Sequence, residues 1–183
     1  MSAASEKDAA DEIEEAWQRE RPGTSTESIG IVTRVWQLAK LFGEDRRRVL
    51  LDSDVDSATL DLLSVLRRSS PPYSLTTREL ARLTLVTAGA ISQRVARAER
   101  EGLVERHTEP RGRSVHVTLT PAGHALVEQT VDRVLERELE LISGLRDEQR
   151  AQLSSLLRVL LGEVQGRCND RGVSHVGDVG SAL

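Results

Sequence analysis

The sequence predicts a mainly α-helical protein with one small β-hairpin, and three observations support that prediction. Apolar residues recur every three or four positions over most of the chain, which is the spacing of an α-helix with one buried face. Residues 115–119 instead alternate apolar and polar side chains, as a strand does. The 183 residues include 38% hydrophobic and 30% charged residues, a composition typical of a folded domain with a substantial core.

The composition also excludes several classes of protein. Aromatic residues make up 2% of the chain, too few for a surface on which RNA bases stack. The longest run without a formal charge, Ser114 to Val127, is interrupted by Pro121 and Gly123, so no transmembrane helix is predicted. The acidic N-terminus is unlike a signal peptide, and the single cysteine, Cys168, excludes an internal disulfide. We therefore expect a cytoplasmic protein.

Three helices are predicted before residue 70. The first covers residues 7–20 and is amphipathic, and the Arg-Pro-Gly segment at 21–23 ends it. The second covers residues 28–51, with apolar residues at helical spacing along its length. The third covers residues 57–68 and is followed by the Ser-Ser-Pro-Pro segment at 69–72, which ends it.

A pair of shorter helices follows. The segment 76–79, Thr-Thr-Arg-Glu, fits a capping box, in which the first threonine and the glutamate each bond the other's backbone N–H. This helix is expected to end near Leu83. Thr87 can cap the next helix, which we expect to end at Gly102.

The spacing then changes to that of a β-hairpin over residues 105–119, with Pro110 and Gly112 as turn formers in an arginine-bearing tip. Thr120 followed by a proline starts a helix that runs to about residue 143. A last helix covers about residues 147–165, and the segment 167–183 is expected to be a disordered tail.

A short helix, a turn, a second helix and a basic hairpin occur in the order of a winged helix-turn-helix, whose second helix enters the major groove of DNA. Residues 52–120 are therefore interpreted as the DNA-binding lobe. The N-terminal helices, within 1–51, and the C-terminal helices, within 121–166, are too apolar for the surface of a lone domain. We expect both to form a homodimer interface.

The charge distribution favours a polyanionic partner. The formal net charge is −4, yet the stretch from Arg67 to Arg113 holds ten arginines and five acidic residues. Arginine suits phosphate and guanine because its planar fork donates two parallel hydrogen bonds. An ordinary solvated face is the alternative interpretation. The predicted DNA contacts are Thr76, Thr87, Gly89, Gln93, Arg97, Arg100, Arg111 and Arg113.

Arg94 is predicted to lie on the inward flank of the second helix of this pair, where a charge needs a partner or a ligand. Asp61, at the edge of the apolar stripe of the third helix, could be that partner. From periodicity alone a structural salt bridge is favoured, and Trp17 is more readily explained as packing. No catalytic constellation, metal-ligand spacing or phosphate-binding glycine loop occurs, so neither an enzyme nor a cofactor is predicted.

Several motifs give the sequence a resemblance to the MarR family of bacterial regulators. They are the Thr-Thr-Arg-Glu-Leu-Ala segment at 76–81, Glu-Gly-Leu-Val-Glu-Arg at 101–106 and Val-Thr-Leu-Thr-Pro-Ala-Gly at 117–123. Members of this family are dimeric winged-helix repressors whose DNA affinity is changed by small, often anionic, ligands. One departure lies in the wing, where Arg111 stands at the position of the usual aspartate.

A narrower resemblance is to the urate-responsive branch of that family, through the N-terminal helix with its tryptophan and the segments at 69–72 and 88–94. The branch's ligand-responsive positions fall on Trp17, Asp61, Arg94 and Arg106. The resemblance implies a homodimeric transcriptional repressor that releases a pseudo-palindromic operator when a small anion such as urate binds. Another anion, tricarboxylate or phenolic, remains an alternative effector, as does a redox switch through Cys168.

Overall fold

The predicted fold class is confirmed by the computed structural model, which describes residues 7–108 and 114–168. No helix in those two ranges combines the length and the apolar character needed to cross a membrane. The chain divides into two compact units, with the boundary between Asp45 and Arg46. The elements in chain order are α1 (Ala9–Glu20), α2 (Glu27–Asp52), α3 (Ser57–Arg68), β1 (Ser74–Thr76), α4 (Thr77–Leu83), α5 (Ala88–Arg100), β2 (Val104–Thr108), β3 (Val115–Leu119), α6 (Pro121–Leu141) and α7 (Asp147–Cys168).

The first unit consists of α1 and the N-terminal part of α2, joined by an ion-pair cluster around Arg34. Asp8 caps the N-terminus of α1 by accepting from the backbone N–H groups of Ala10 and Asp11. The Arg34 guanidinium donates to Asp8 at 2.9 Å and to Asp11 at 2.8 Å. These hydrogen bonds hold the pKa of both aspartates below the ordinary value. One arginine thus fastens the first turn of α1 to α2.

The second unit has a helical core closed by a small sheet. The largest fully buried side chains come from α3, α4, α5 and α6 and from β2 and β3, the two strands of the wing. They include Leu63, Leu80, Val95, Val117 and Val127. The sheet is antiparallel in the order β1-β3-β2, and Val117 pairs with Leu75 on one side and with Arg106 on the other. The sheet therefore connects the segment before α4 to the hairpin that follows α5.

The predicted helices and hairpin strands are present, and their ends differ from the prediction by at most three residues; α1 starts at Ala9 and not at residue 7, and α6 ends at Leu141 and not near residue 143. Strand β1 was not predicted, because three residues are too short to show an alternating pattern. Helix α5 ends at Arg100, and Gly102 adopts a left-handed backbone (φ 71°) just beyond it, as is common after a helix. Helix α7 extends to Cys168, three residues beyond its predicted end near residue 165. The predicted hairpin tip and residues 169–183 lie outside the described residues.

Candidate nucleic-acid interface

Helix α5 has one buried and one exposed face, as predicted. Ile91, Val95 and Ala98 are each 1% exposed and form the buried stripe. The opposite face carries the exposed residues Gly89, Gln93, Arg97 and Arg100. Since a recognition helix needs a free polar face of this kind beside an anchored apolar one, α5 has the form required to enter the major groove.

The N-terminal half of α5 is open and chemically suited to DNA. The side-chain oxygen of Thr87 caps the helix by accepting from the backbone N–H of Ala90 at 3.2 Å. Next to it, Gly89 has no atom closer than 4.0 Å to the position of a Cβ, so a backbone can approach there. The amide of Gln93 is exposed and has no hydrogen-bond partner among residues 7–108 and 114–168. A free amide can read an adenine edge, and the helix N-terminus favours phosphate.

The C-terminal half of α5 is different, because Arg97 already has two carboxylate partners. Its Nη1 lies 2.5 Å from Oδ2 of Asp56, and its Nε donates to Glu101 at 2.8 Å. Glu101 and, secondarily, Asp56 raise the pKa of the guanidinium above the ordinary value. The sequence prediction for Arg97 included neither partner. Arg100, in contrast, is exposed and forms no ion pair within the described part of the chain.

Helix α4 begins with the predicted capping box. The Thr76 side chain accepts from the backbone N–H of Glu79 at 3.2 Å and donates to its carboxylate at 2.7 Å. The Thr76 hydroxyl is thus committed to the cap. Arg78 and Arg82 are exposed on the same helix, and neither was assigned a role from the sequence. Their signal was available, since the first helix of a helix-turn-helix crosses the DNA backbone and these two lie four residues apart.

The wing is joined to α5 by an ion pair between Arg106 of β2 and Glu99. The guanidinium lowers the pKa of the Glu99 carboxyl. Arg106 was predicted to bind a ligand, and the structure gives it this intramolecular partner. The predicted DNA contacts Arg111 and Arg113 lie outside the described residues.

Two of the predicted ligand residues are part-buried and unpaired. Asp61 on α3 and Arg94 on α5 have no ion pair or side-chain hydrogen bond in the described part of the chain, so the suggested salt bridge between them is absent. Periodicity placed each residue on a helix face but could not give the register of one helix against the other. Trp17 lies on α1 in the first unit and is 49% exposed. An arginine drawn towards a core without a partner is a candidate to bind an anion.

Three helices present apolar side chains to solvent within this single chain. On α7 the described residues include none that is buried. The exposed apolar residues of α2 are Ile31, Val32, Val35, Trp36, Leu38, Leu41, Phe42 and Leu51; those of α6 and α7 include Leu135, Leu139, Leu153, Leu156, Leu157, Leu160, Leu161 and Val164. Faces of this size mark interaction surfaces in soluble proteins.

Within the described residues no group of three or more His, Cys, Asp or Glu side chains could hold a metal ion. Cys168 is exposed at the end of α7 and forms no disulfide. The candidate functional site is therefore the exposed polar face of α5, with basic residues around it and the wing beside it.

Comparison with known proteins gives consistent matches. Residues 53–114 match the MarR family. The HTH-type transcriptional regulator PecS of Dickeya dadantii (strain 3937) is 26% identical over 155 residues, which cover 84% of this chain and 91% of PecS. Wild-type apo MarR from E. coli is 27% identical with a TM-score of 0.61, covering 71% of this chain and 96% of that one. MepR of Staphylococcus aureus, a regulator of the multidrug efflux pump MepA, has a TM-score of 0.61 at 22% identity, covering 73% and 98%.

Proposed function

We propose that this chain is a transcriptional repressor of the MarR family, which binds a pseudo-palindromic operator as a homodimer and releases it when a small anion such as urate binds. The family match covers the DNA-binding segment. The observation that carries the DNA-binding part is the free polar face of α5, anchored by its buried stripe and followed directly by the wing.

DNA recognition is divided between the two ends of the helix-turn-helix. Thr87, Gly89 and Gln93 contact the major groove from the open half of α5, and Arg100 holds phosphate. Arg78 and Arg82 of α4 add phosphate contacts, and Arg111 and Arg113 extend them at the wing. The backbone N–H of the Thr76 cap is engaged with Glu79 at 2.9 Å, so Thr76 contributes mainly by fixing the start of α4.

A second copy of the chain covers the apolar faces of α2, α6 and α7. A helix of 22 residues with no buried side chain gains little from its own chain, and a two-fold partner supplies the missing apolar contact. The same symmetry places two α5 helices on half-sites about 34–36 Å apart, which explains why the operator should be palindromic.

The effector acts through Arg94. A part-buried arginine without a partner attracts an anion, and because Arg94 belongs to α5, an anion bound there changes the position of the recognition helix. Within the second unit, Asp61 repels the negative charge of the anion and Arg106 couples α5 to the wing. Trp17 belongs to the first unit, and its part in the response to the effector stays a prediction. The effector shifts the population of the DNA-binding state only by its differential affinity for the two states.

Fluorescence anisotropy with the duplex upstream of the protein's own gene, and a scrambled duplex of the same length, tests this function. The protein should prefer the upstream duplex, and urate should release it. Arg100→Ala should lower the dependence of log K on log salt by about one, whereas Arg19→Ala, an exposed arginine of α1, should leave it unchanged. Equal affinity for both duplexes would refute specific DNA binding. If Arg94→Ala responds to urate as the wild type does, the effector assignment is wrong.

A further inference from the structure

Asp56 connects two helices of the DNA-binding lobe. It caps the N-terminus of α3, where its Oδ1 accepts from the backbone N–H of Thr59 at 2.8 Å. Its other oxygen, Oδ2, accepts from the Thr59 hydroxyl at 3.2 Å and lies 2.5 Å from Nη1 of Arg97 on α5. One carboxylate therefore fixes the start of α3 and the recognition helix at the same time.

Arg97 is badly placed to read a base. It is the tenth of the 13 residues of α5, whereas base contacts in a helix-turn-helix come from the N-terminal part of the recognition helix. Two of its guanidinium nitrogens face carboxylates, Nη1 towards Asp56 and Nε towards Glu101. These two carboxylates hold the guanidinium towards the protein, so a base would have to compete with them for it.

The Arg97–Asp56 ion pair gives α5 a directional contact, which its apolar packing does not provide. The stripe of α5 packs against the core, but apolar burial is non-directional and permits small rotations of the helix about its axis. A contact between two named atoms on different helices is directional. On the other flank, Arg106 of β2 pairs with Glu99. The C-terminal half of α5 is thus held towards α3 on one side and towards the wing on the other.

We propose that Asp56 is a positioning residue for DNA binding: through Arg97 it fixes the orientation of α5 against α3, so that Arg97 braces the recognition helix and does not contact a base. This inference rests on the DNA-binding function proposed above. It replaces the base-reading role that the sequence suggested for Arg97.

The variant Asp56→Asn tests the ion pair with Arg97 separately from the capping of α3. Asparagine caps helices about as well as aspartate, so α3 keeps its N-terminus and the thermal unfolding temperature should stay close to that of the wild type. The variant removes the charge that faces Arg97, and of the capping contacts it alters only the one between Oδ2 and the Thr59 hydroxyl. Glu101→Gln is the matched control, because it removes one negative charge from the same arginine without touching the link to α3.

The measurement is operator binding by anisotropy over a salt series. Asp56→Asn and Arg97→Ala should each weaken binding about two- to fivefold, the range expected for an exposed ion pair, without changing the salt slope. The double variant should bind no more weakly than either single variant, because both remove one interaction. Glu101→Gln should bind as the wild type does.

Three results of the binding measurement would each overturn the proposal. Asp56→Asn could bind the operator as tightly as the wild type, Arg97→Ala could lower the salt slope by about one, or Glu101→Gln could lose as much affinity as Asp56→Asn. Hydrogen exchange without DNA gives an independent reading: the C-terminal half of α5 should exchange faster in Asp56→Asn than in Glu101→Gln, and equal rates would refute the brace. Wild-type protein that fails to prefer the operator refutes the proposed function instead.

Discussion

Gly123→Ala should destabilise the second unit, because the position has no room for a methyl group. A Cβ placed there lies 2.1 Å from the carbonyl oxygen of Leu103 and 3.1 Å from Cδ2 of Leu119. A carbon normally approaches an oxygen no closer than roughly 3.3 Å, so α6 must move about 1 Å away from the start of the wing. The Leu103 carbonyl also accepts the backbone N–H of Thr120 at 3.1 Å, and that hydrogen bond must lengthen.

The expected cost follows from these contacts. Overlap with a backbone atom belongs at the upper end of the overpacking range, about 3 kcal/mol, and loss of the hydrogen bond adds about 1 kcal/mol. Replacing glycine by alanine within a helix returns about 1 kcal/mol. The net loss of about 3 kcal/mol corresponds to a fall of roughly 6–12 °C in the unfolding temperature of a chain of this size.

Thermal unfolding followed by circular dichroism measures this change. Gly144→Ala is the matched control, since no atom lies within 4 Å of its Cβ position and its backbone φ is not positive. That variant should unfold at or slightly above the wild-type temperature. If Gly123→Ala unfolds at the same temperature as Gly144→Ala, α6 does not approach the Leu103 carbonyl closely enough to exclude a methyl group.

Three further predictions concern other parts of the chain. Arg34 lowers the pKa values of Asp8 and Asp11, so the stability that these carboxylates add is present above pH 4 and is lost as the pH falls through the lowered values. Arg34→Gln should reduce this acid-dependent loss but not remove it, because backbone N–H groups also lower both pKa values. The fluorescence of the two tryptophans, which both lie in the first unit, measures the loss. The double variant Leu157→Glu/Leu160→Glu places charges on the exposed apolar face of α7, so it should be monomeric by light scattering and should not bind the operator. The control variant Gln152→Glu should remain dimeric. Gly89→Ala should raise the free energy of unfolding in urea by about 0.5–1 kcal/mol, because the nearest protein atom lies 4.0 Å from the Cβ position and a methyl group fits there. The same variant should weaken operator binding, because the methyl group occupies the space that the DNA backbone would approach.

Local signals predicted the helices well. Residues 57–68 were predicted to be helical and to end at the Ser-Ser-Pro-Pro segment, and α3 spans Ser57–Arg68. The structure adds the Asp56 cap, which the prediction did not use. The Thr76 capping box was also predicted and is present. In both cases the determinants lie within a few residues of the helix end, where sequence spacing is also spatial spacing.

Pairings between distant segments were not predicted. Strand β1 exists because it pairs with β3, and Ser74 accepts a hydrogen bond from Thr118, 44 residues later. Sequence periodicity likewise suggested that Arg94 pairs with Asp61, whereas the ion pair between α5 and the start of α3 joins Arg97 to Asp56. Helical spacing fixes the direction of a side chain around its own axis, but the partner depends on how far one helix is displaced along another.

The way α5 is held bears on how an effector could move it. Its N-terminal half has a cap but no ion pair among the described residues, and its C-terminal half is held by Arg97 to α3 and by Glu99 to the wing. Both ion pairs are solvent-exposed, the class that salt screens and that contributes least to stability. An effector with a typical coupling of about 1–3 kcal/mol could therefore displace the helix without unfolding the core beneath it. If these ion pairs hold α5 in its DNA-binding orientation, Asp56→Asn should release half of the operator at a lower effector concentration than Glu101→Gln. Equal effector concentrations would show that the Arg97–Asp56 ion pair has no part in the ligand response.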